Sequence, residues 1–264
     1  MATGGDIRLS FDRVPEIYDR VRPTYPPALF NALFATLDDD PQIVEVGPGS
    51  GQATAEMLER NARVTAVEIG PALAELLHTK YRDNDRLTVL NDDFERAALP
   101  ANCFDAVVSA TAYHWISASA QVERPAQLLV PGGVLGVIDL VQVASAADGG
   151  YFDRVRPVYE RHGQARPDWS PPTHSTVVPA IAGHLEASGV YGNIELHTMA
   201  WDQTYDAASY RDLLLSYSGT QMMEEPARTA MVDELVEIVA TEFDDTVVRP
   251  LVAALTLARY EPMR

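Results

Sequence analysis

The tightest constraint on this chain is the stretch Val44-Glu45-Val46-Gly47-Pro48-Gly49-Ser50-Gly51. A short apolar run, Gln42 to Val46, enters a turn with glycine at every second position, and a helical pattern from Ala53 to Asn61 follows. Glycine permits a sharp turn and lets a ligand approach the main chain closely. A strand, a glycine turn and a helix in that order open a βαβ unit, and in open α/β sheets ligands collect beyond the carboxyl ends of the strands.

The pattern repeats downstream. Arg63 to Glu68 reads as a strand that ends in an acid, and Pro71 to Tyr81 as a helix with proline suited to its first turn. Leu87 to Leu90, Phe104 to Ala110 and Val134 to Leu140 read as further strands. Ala118 to Leu129 reads as a helix stopped by Pro131-Gly132-Gly133. Repeated strand–helix units imply a parallel sheet. Beyond residue 141 the sequence predicts helices over Tyr151–Gly163, Val177–Ser188, Ala207–Ser218 and Ala227–Phe243. It predicts strands over Ile194–Trp201 and Leu251–Tyr260 and a loop over Arg166–Pro172.

Two acids sharpen the glycine turn. Glu68, at the end of the second strand, is placed to accept the hydroxyl hydrogens of a ribose. Asp93, after the third strand, is placed to accept from an adenine amino group, with Phe94 against the ring. A dinucleotide is the competing ligand, but its fingerprint G-x-G-x-x-G needs glycine where this chain has Gln52. Glu45, just before the turn, would also repel a pyrophosphate and suits a ligand carrying an ammonium group.

These residues resemble the class I S-adenosylmethionine (SAM)-dependent methyltransferases. The resemblance is carried by Glu45 to Gly51, Glu68, Asp93-Phe94, the strand Phe104-Asp105-Ala106-Val107-Val108 and Pro131-Gly132-Gly133, all in family order. It implies a Rossmann-like α/β fold with a seven-stranded sheet, mostly parallel with an antiparallel last strand. Helical lid insertions would cover about 142–177 and 206–246, within a single domain over 1–264 whose core spans about 30–141. It implies SAM as cofactor and S-adenosylhomocysteine as product, held by Glu45, Gly47, Gly49, Gly51, Glu68, Ile69, Asp93, Phe94 and Ala110. Two segments, Tyr18 to Pro26 and Ala112-Tyr113-His114-Trp115, are similar to a small-molecule branch that includes the trans-aconitate and farnesoic acid carboxyl methyltransferases.

On the acceptor side, His114 lies just past the fourth strand, where the donor methyl should point. A hydroxyl or amine acceptor needs a base, and histidine is a common one; a carboxylate acceptor needs none. His114 is therefore the candidate base, or else part of the pocket wall with Tyr113 and Trp115. Tyr18 and Arg22 are candidate acceptor contacts by the same resemblance. Arg22 matches a carboxylate of SAM or of the acceptor, or is an ordinary surface arginine. Cys103, the single cysteine, reads as a small semi-buried residue.

Composition narrows the partners. A net charge of −18 disfavours a nucleic acid partner, and no cysteine or histidine cluster has zinc spacing. No apolar stretch is of membrane-spanning length, and the first ten residues lack a signal-like apolar run, so a soluble cytoplasmic protein is expected. The expected function is methyl transfer from SAM to a small molecule, a carboxylate or hydroxyl ahead of an amine. The alternative is a SAM-binding protein that acts through a partner; a nicotinamide-dependent oxidoreductase is disfavoured by Glu45 and Gln52.

Overall fold

The computed structural model describes residues 7–165 and 170–262. Among them the chain first forms α1 (Pro15–Val21), α2 (Pro27–Phe34), β1 (Gln42–Val46), α3 (Gln52–Glu59), β2 (Arg63–Glu68), α4 (Pro71–Lys80), β3 (Leu87–Asn91) and β4 (Phe104–Ala110). Then come α5 (Ala118–Leu128), β5 (Leu129–Gln142), α6 (Tyr151–Arg161), α7 (Ala180–Ser188) and β6 (Tyr191–Asp206). The order ends with α8 (Ala207–Leu215), α9 (Ser218–Gln221), α10 (Glu225–Glu242) and β7 (Thr246–Tyr260).

Contacts group the chain into two compact units. The sheet unit draws on Thr24–Val141, Val178–Met199 and Ala253–Arg264, and the helical unit on Met1–Pro23, Gln142–Val177 and Ala200–Val252. The sheet is seven-stranded in the order β3-β2-β1-β4-β5-β7-β6. β3, β2, β1, β4 and β5 run parallel, and the antiparallel element comes from β7 between β5 and β6, which is the expected fold. From β1 the strand order runs outward in opposite directions, to β2 on one side and β4 on the other. That reversal opens a crevice beyond the carboxyl ends of β1 and β4, the place where such sheets bind ligands.

Local chemistry explains the central strands. Ile43, Val44, Ala106, Val107 and Val108 are all fully buried. Strands covered on both faces read as continuous apolar runs, so β1, β2 and β4 fall where the sequence puts them. The sheet unit's core gathers Val44, Val67, Phe104, Val107, Leu135 and Leu185. In the helical unit, α8 packs against α1 and α10, and α10 against α6, around Tyr151, Tyr210, Met231 and Leu235.

Several boundaries differ from expectation. β5 begins at Leu129, ahead of Pro131-Gly132-Gly133, because the register jumps from Phe104↔Leu129 to Ala106↔Val134. The Pro-Gly-Gly segment is therefore a bulge within a strand, with Gly132 left-handed at φ 83, and not a helix stop before one. α7 starts at Ala180, after Pro179, since proline disfavours a helical residue before it. Gly189 ends α7 in the left-handed conformation, as expected. The expected helix over 207–218 is broken into α8 and α9, and both β6 and β7 begin earlier than their apolar centres suggest. The expected loop over 166–172 lies outside the described residues at 166–169.

Gly47 ties the fold to the crevice. Its φ is +64, and a Cβ added there would meet the Ala112 Cβ at 2.5 Å. A methyl on a short side chain cannot swing aside, so both the backbone and the space require glycine. Gly47→Ala should lower unfolding free energy by about 1–3 kcal/mol, the scale of a strained residue. Urea denaturation checks this; a variant as stable as the wild type would show that the turn and the β4 end are not tightly apposed.

Candidate functional site

The glycine turn is held from three sides. Gly47, Gly49 and Gly51 all have positive φ, at 64, 59 and 93. The Gly47 amide donates to the Val67 carbonyl at 2.9 Å, which ties the turn to the end of β2. Lys80 Nζ donates to the Ser50 carbonyl at 3.1 Å. Most important is Glu68: one carboxylate oxygen accepts from the Gly49 amide at 3.0 Å and the other from the Gly70 amide at 2.8 Å. A carboxylate has about four lone-pair positions, so Glu68 is able to brace the turn and still accept a ribose hydroxyl. These features fit a nucleoside ligand: backbone free of side chains at Gly49 beside a carboxylate at the end of β2.

Glu45, the acid before the turn, is enclosed by protein. It is 1% exposed, and its carboxylate accepts from the Thr54 hydroxyl at 2.5 Å. Burial pushes its pKa up to about 8; the Thr54 bond opposes this and the nearby Glu68 charge adds to it. At neutral pH the carboxyl therefore holds its proton, and a cation brought against it would favour the carboxylate.

The adenine-side candidates divide. Asp93 accepts from the Glu95 amide at 3.1 Å and from Arg96 Nη2 at 3.3 Å, and 12% of its side chain is exposed. Phe94 is 5% exposed and belongs to the sheet unit's core, with the Arg124 guanidinium 6.0 Å from its ring centroid. Its ring is chiefly a packing group. Ile69 is half-buried, and its carbonyl accepts from the Asn91 amide nitrogen at 3.2 Å. Ala110, also half-buried, is the last residue of β4.

Past β4 the chain makes a tight turn that carries the acceptor-side candidates. Tyr113, His114 and Trp115 form a single 3-10 turn. Tyr113 points inward: it is 2% exposed, and its hydroxyl donates to the Gln121 carbonyl. Burial, with Tyr191 nearby, raises its pKa, so it stays a neutral phenol. His114 keeps an exposed side chain 4.7 Å from the Trp115 ring, and loss of water on its protein-facing side draws its pKa down. Cys103 is exposed, against the semi-buried position expected.

Two residues here escaped the sequence reading. Thr111 has φ 56, a costly backbone for a β-branched residue. It is held there by its amide on the Ile138 carbonyl at 2.8 Å and its hydroxyl 3.0 Å from that of Tyr25. Asp139 lies one residue beyond the Ala110↔Ile138 pair, at the carboxyl end of β5. Burial raises its pKa.

Tyr18 and Arg22 belong to the helical unit. The Arg22 guanidinium lies over the rings of Tyr18 at 4.7 Å and Tyr217 at 4.9 Å, and Nη2 donates to the Ser216 carbonyl at 2.9 Å. Its Nε is buried without a partner. It is a stacked, half-buried arginine, unlike an ordinary surface one. Tyr18 is half-buried and meets Phe11 edge-on at 5.9 Å.

Residues 44–137 match a family described as a methyltransferase domain. Over 133 residues the chain is 31% identical to an uncharacterised methyltransferase of Mycobacterium tuberculosis, covering 50% of this chain and 53% of that protein. The chain thus spans about half the length of the curated relatives it matches most broadly. A solved structure of a proposed type II methyltransferase of Anaeromyxobacter dehalogenans shares the fold at a TM-score of 0.62 and 20% identity, over 92% of this chain and 99% of that one. So does phosphoethanolamine N-methyltransferase 2 of Haemonchus contortus, solved with phosphomonomethylethanolamine and S-adenosylhomocysteine, at 0.53 and 16% over 100% and 62%. The [4+2]-cyclase SpnF shares it at 0.54 and 15% over 96% and 94%.

Glu45 gives a pH test. Its unfolded pKa is near 4.5 and its folded pKa about 8, so the folded state binds the extra proton between them. Its contribution to stability is complete below about 4.5 and is lost as pH rises towards 8. Relative to Glu45→Gln, the wild type should lose of order a few kcal/mol between pH 5 and pH 8. Parallel urea titrations at the two pH values measure the difference; equal losses would place the carboxyl in contact with water.

Proposed function

We propose that this chain, which belongs to the class I SAM-dependent methyltransferases, transfers a methyl group from SAM to a small-molecule acceptor. The observation that carries the reading is the methyltransferase-family match over 44–137, in which the glycine turn and its Glu68 brace lie. When bound, SAM supplies an electrophilic methyl on a sulfonium. Gly47 to Gly51 leave backbone open to the ligand, Glu68 accepts from the ribose, and Asp93 accepts from the adenine amino group. Ile69 and Ala110 contribute backbone and small side chains around the nucleoside. Glu45, on giving up its proton, balances the ammonium of the methionine part.

An oxygen acceptor, carboxylate or hydroxyl, is favoured over an amine by the resemblance of 18–26 and 112–115 to the carboxyl methyltransferases. Segments 142–177 and 206–246, both largely in the helical unit, shape acceptor choice in this reading. At the end of β4, Trp115 walls the acceptor side and Tyr113 supports it from beneath. His114 is the first candidate base and Asp139 the second. Alignment of nucleophile and methyl supplies much of the rate in either case. The SpnF fold match shows that this architecture also hosts other chemistry, so product mass decides the reaction. Incubating labelled SAM with small acids, phenols and amines tests it directly. A chain that binds SAM and methylates none of them supports the alternative, a SAM-binding protein that acts through a partner.

Glu68→Ala should weaken SAM binding by about 1.5–3 kcal/mol, the scale of hydrogen bonds to a charged group. Calorimetry reads this, and circular dichroism shows whether the turn remains folded. Unchanged affinity in a folded variant removes Glu68 from the nucleoside site.

His114 separates the acceptor classes. With a hydroxyl acceptor, the rate should rise with pH through a value below 6.5, because burial lowers the pKa and only the neutral ring accepts a proton. His114→Ala should then cost about 10²–10⁴-fold in turnover. With a carboxylate acceptor the profile is flat, and the same change chiefly raises KM. Normal kinetics in the variant would exclude His114 and leave Asp139 to test.

A further inference from the structure

The helical unit contains a cavity of 370 Å³, lined among others by Gln142, Tyr151, Tyr159, Tyr210, Tyr217 and Arg249. Its size falls within the span of small-molecule sites, about 300–1,000 Å³. Arg249 is only 9% exposed. Its Nη1 donates to the Tyr210 hydroxyl at 2.9 Å, and Nη2 donates to Gln142 Oε1. Among the described residues its Nε has no partner, and neither has Gln142 Nε2, although both atoms are buried. No carboxylate among the described residues pairs with Arg249.

The surrounding phenols do not neutralise it. Burial raises the pKa values of Tyr151, Tyr159 and Tyr210, so all three stay protonated at neutral pH. Arginine remains charged under any such conditions. Among the described residues, a permanent cation is therefore held by neutral acceptors alone, an arrangement that is unfavourable unless an anion completes it. The nearby Arg156, which also lines the cavity, has an acid within reach in Asp153 at 3.9 Å. The unmet charge is that of Arg249.

We propose that this cavity is a binding site for a small organic carboxylate with a flat apolar body. The planar guanidinium matches a carboxylate geometrically. Gln142 Nε2 offers a further donor, and the tyrosine rings with Phe152, 5.5 Å from the guanidinium, offer faces for the body. One guanidinium among neutral donors suits a monoanion. Most of the lining belongs to 142–177 and 206–246, so the inference deepens the acceptor reading of those segments, while no residue of the glycine turn takes part and carboxylate binding here is measured apart from SAM binding.

The test compares phenylacetate, benzoate and cinnamate with their neutral amides by calorimetry on the full chain. At least one acid should bind the wild type, and its amide should bind about tenfold to hundredfold more weakly, the range for losing a charged hydrogen bond. Arg249→Met should weaken the acid to a similar extent and leave the amide nearly unchanged. Glu68→Ala should leave the acid's affinity intact, which separates this site from the nucleoside site. If Arg249→Met fails to fold, the acid-to-amide ratio on the wild type decides. Equal binding of acid and amide, no binding by any of the three acids, or full affinity in a folded Arg249→Met overturns the proposal.

Discussion

The Glu68 carboxylate is the keystone of the candidate cofactor site. By accepting from Gly49 on one turn and Gly70 on another, it locks the loop after β1 to the loop after β2. Left-handed glycines give up more backbone entropy on folding than any other residue, and Glu68 supplies one of the restraints that hold them here. The carboxylate itself is fixed by these same bonds before any ligand arrives. Preorganisation of this kind lowers the ordering cost of binding. A buried acid that braces the turn thus stands at the place proposed for the ribose.

Two other buried ionisable groups show how burial selects protonation. Glu45, with only Thr54 beside it, escapes an unpaired charge by keeping its proton. Arg249 has no such route, because a guanidinium does not deprotonate in proteins. The same desolvation therefore leaves an acid silent and a base charged, its cost eased by the Phe152 and Tyr210 rings and by two neutral acceptors but by no carboxylate among the described residues. For this reason the arginine signals a missing partner more strongly than the glutamate does. Arg22, stacked between Tyr18 and Tyr217, softens its own cost with two aromatic faces and one carbonyl.

The central half of the fold was legible because its signals are local. Buried parallel strands are short apolar runs, and β1, β2 and β4 are bounded by glycine, acid or turn residues at their own ends. The glycine turn and Glu68 were legible for the same reason, each sitting next to its strand. Legibility failed where structure depends on distant partners. Pro131-Gly132-Gly133 reads as a stop, yet pairing with β4 absorbs it as a bulge. Thr111 carries no local sign of its strained backbone, because the group that steadies it, Tyr25, is far away in the chain. Arg249 carries no local sign of its surroundings, since Tyr210 and Gln142 meet it only in the folded unit. Phe94 failed in the opposite sense: its position beside Asp93 suggested a ligand face, and core packing took the ring instead.

Strain at Thr111 links the fold to the chemistry proposed for the β4 end. A β-branched residue in the left-handed region costs about 1–3 kcal/mol and persists only where surrounding bonds over-determine it. Here the Ile138 carbonyl fixes the amide and Tyr25 the hydroxyl. The effect is to turn the chain sharply out of β4, which brings Ala112 against Gly47 and starts the turn that carries His114. Gly47 lacks a side chain because Ala112 occupies that space, and Ala112 is there because Thr111 bends. The loop after β1 and the loop after β4 are consequently one mechanical unit at the switch point of the sheet. A change meant to alter the acceptor side at 111–115 will therefore also move the glycine turn.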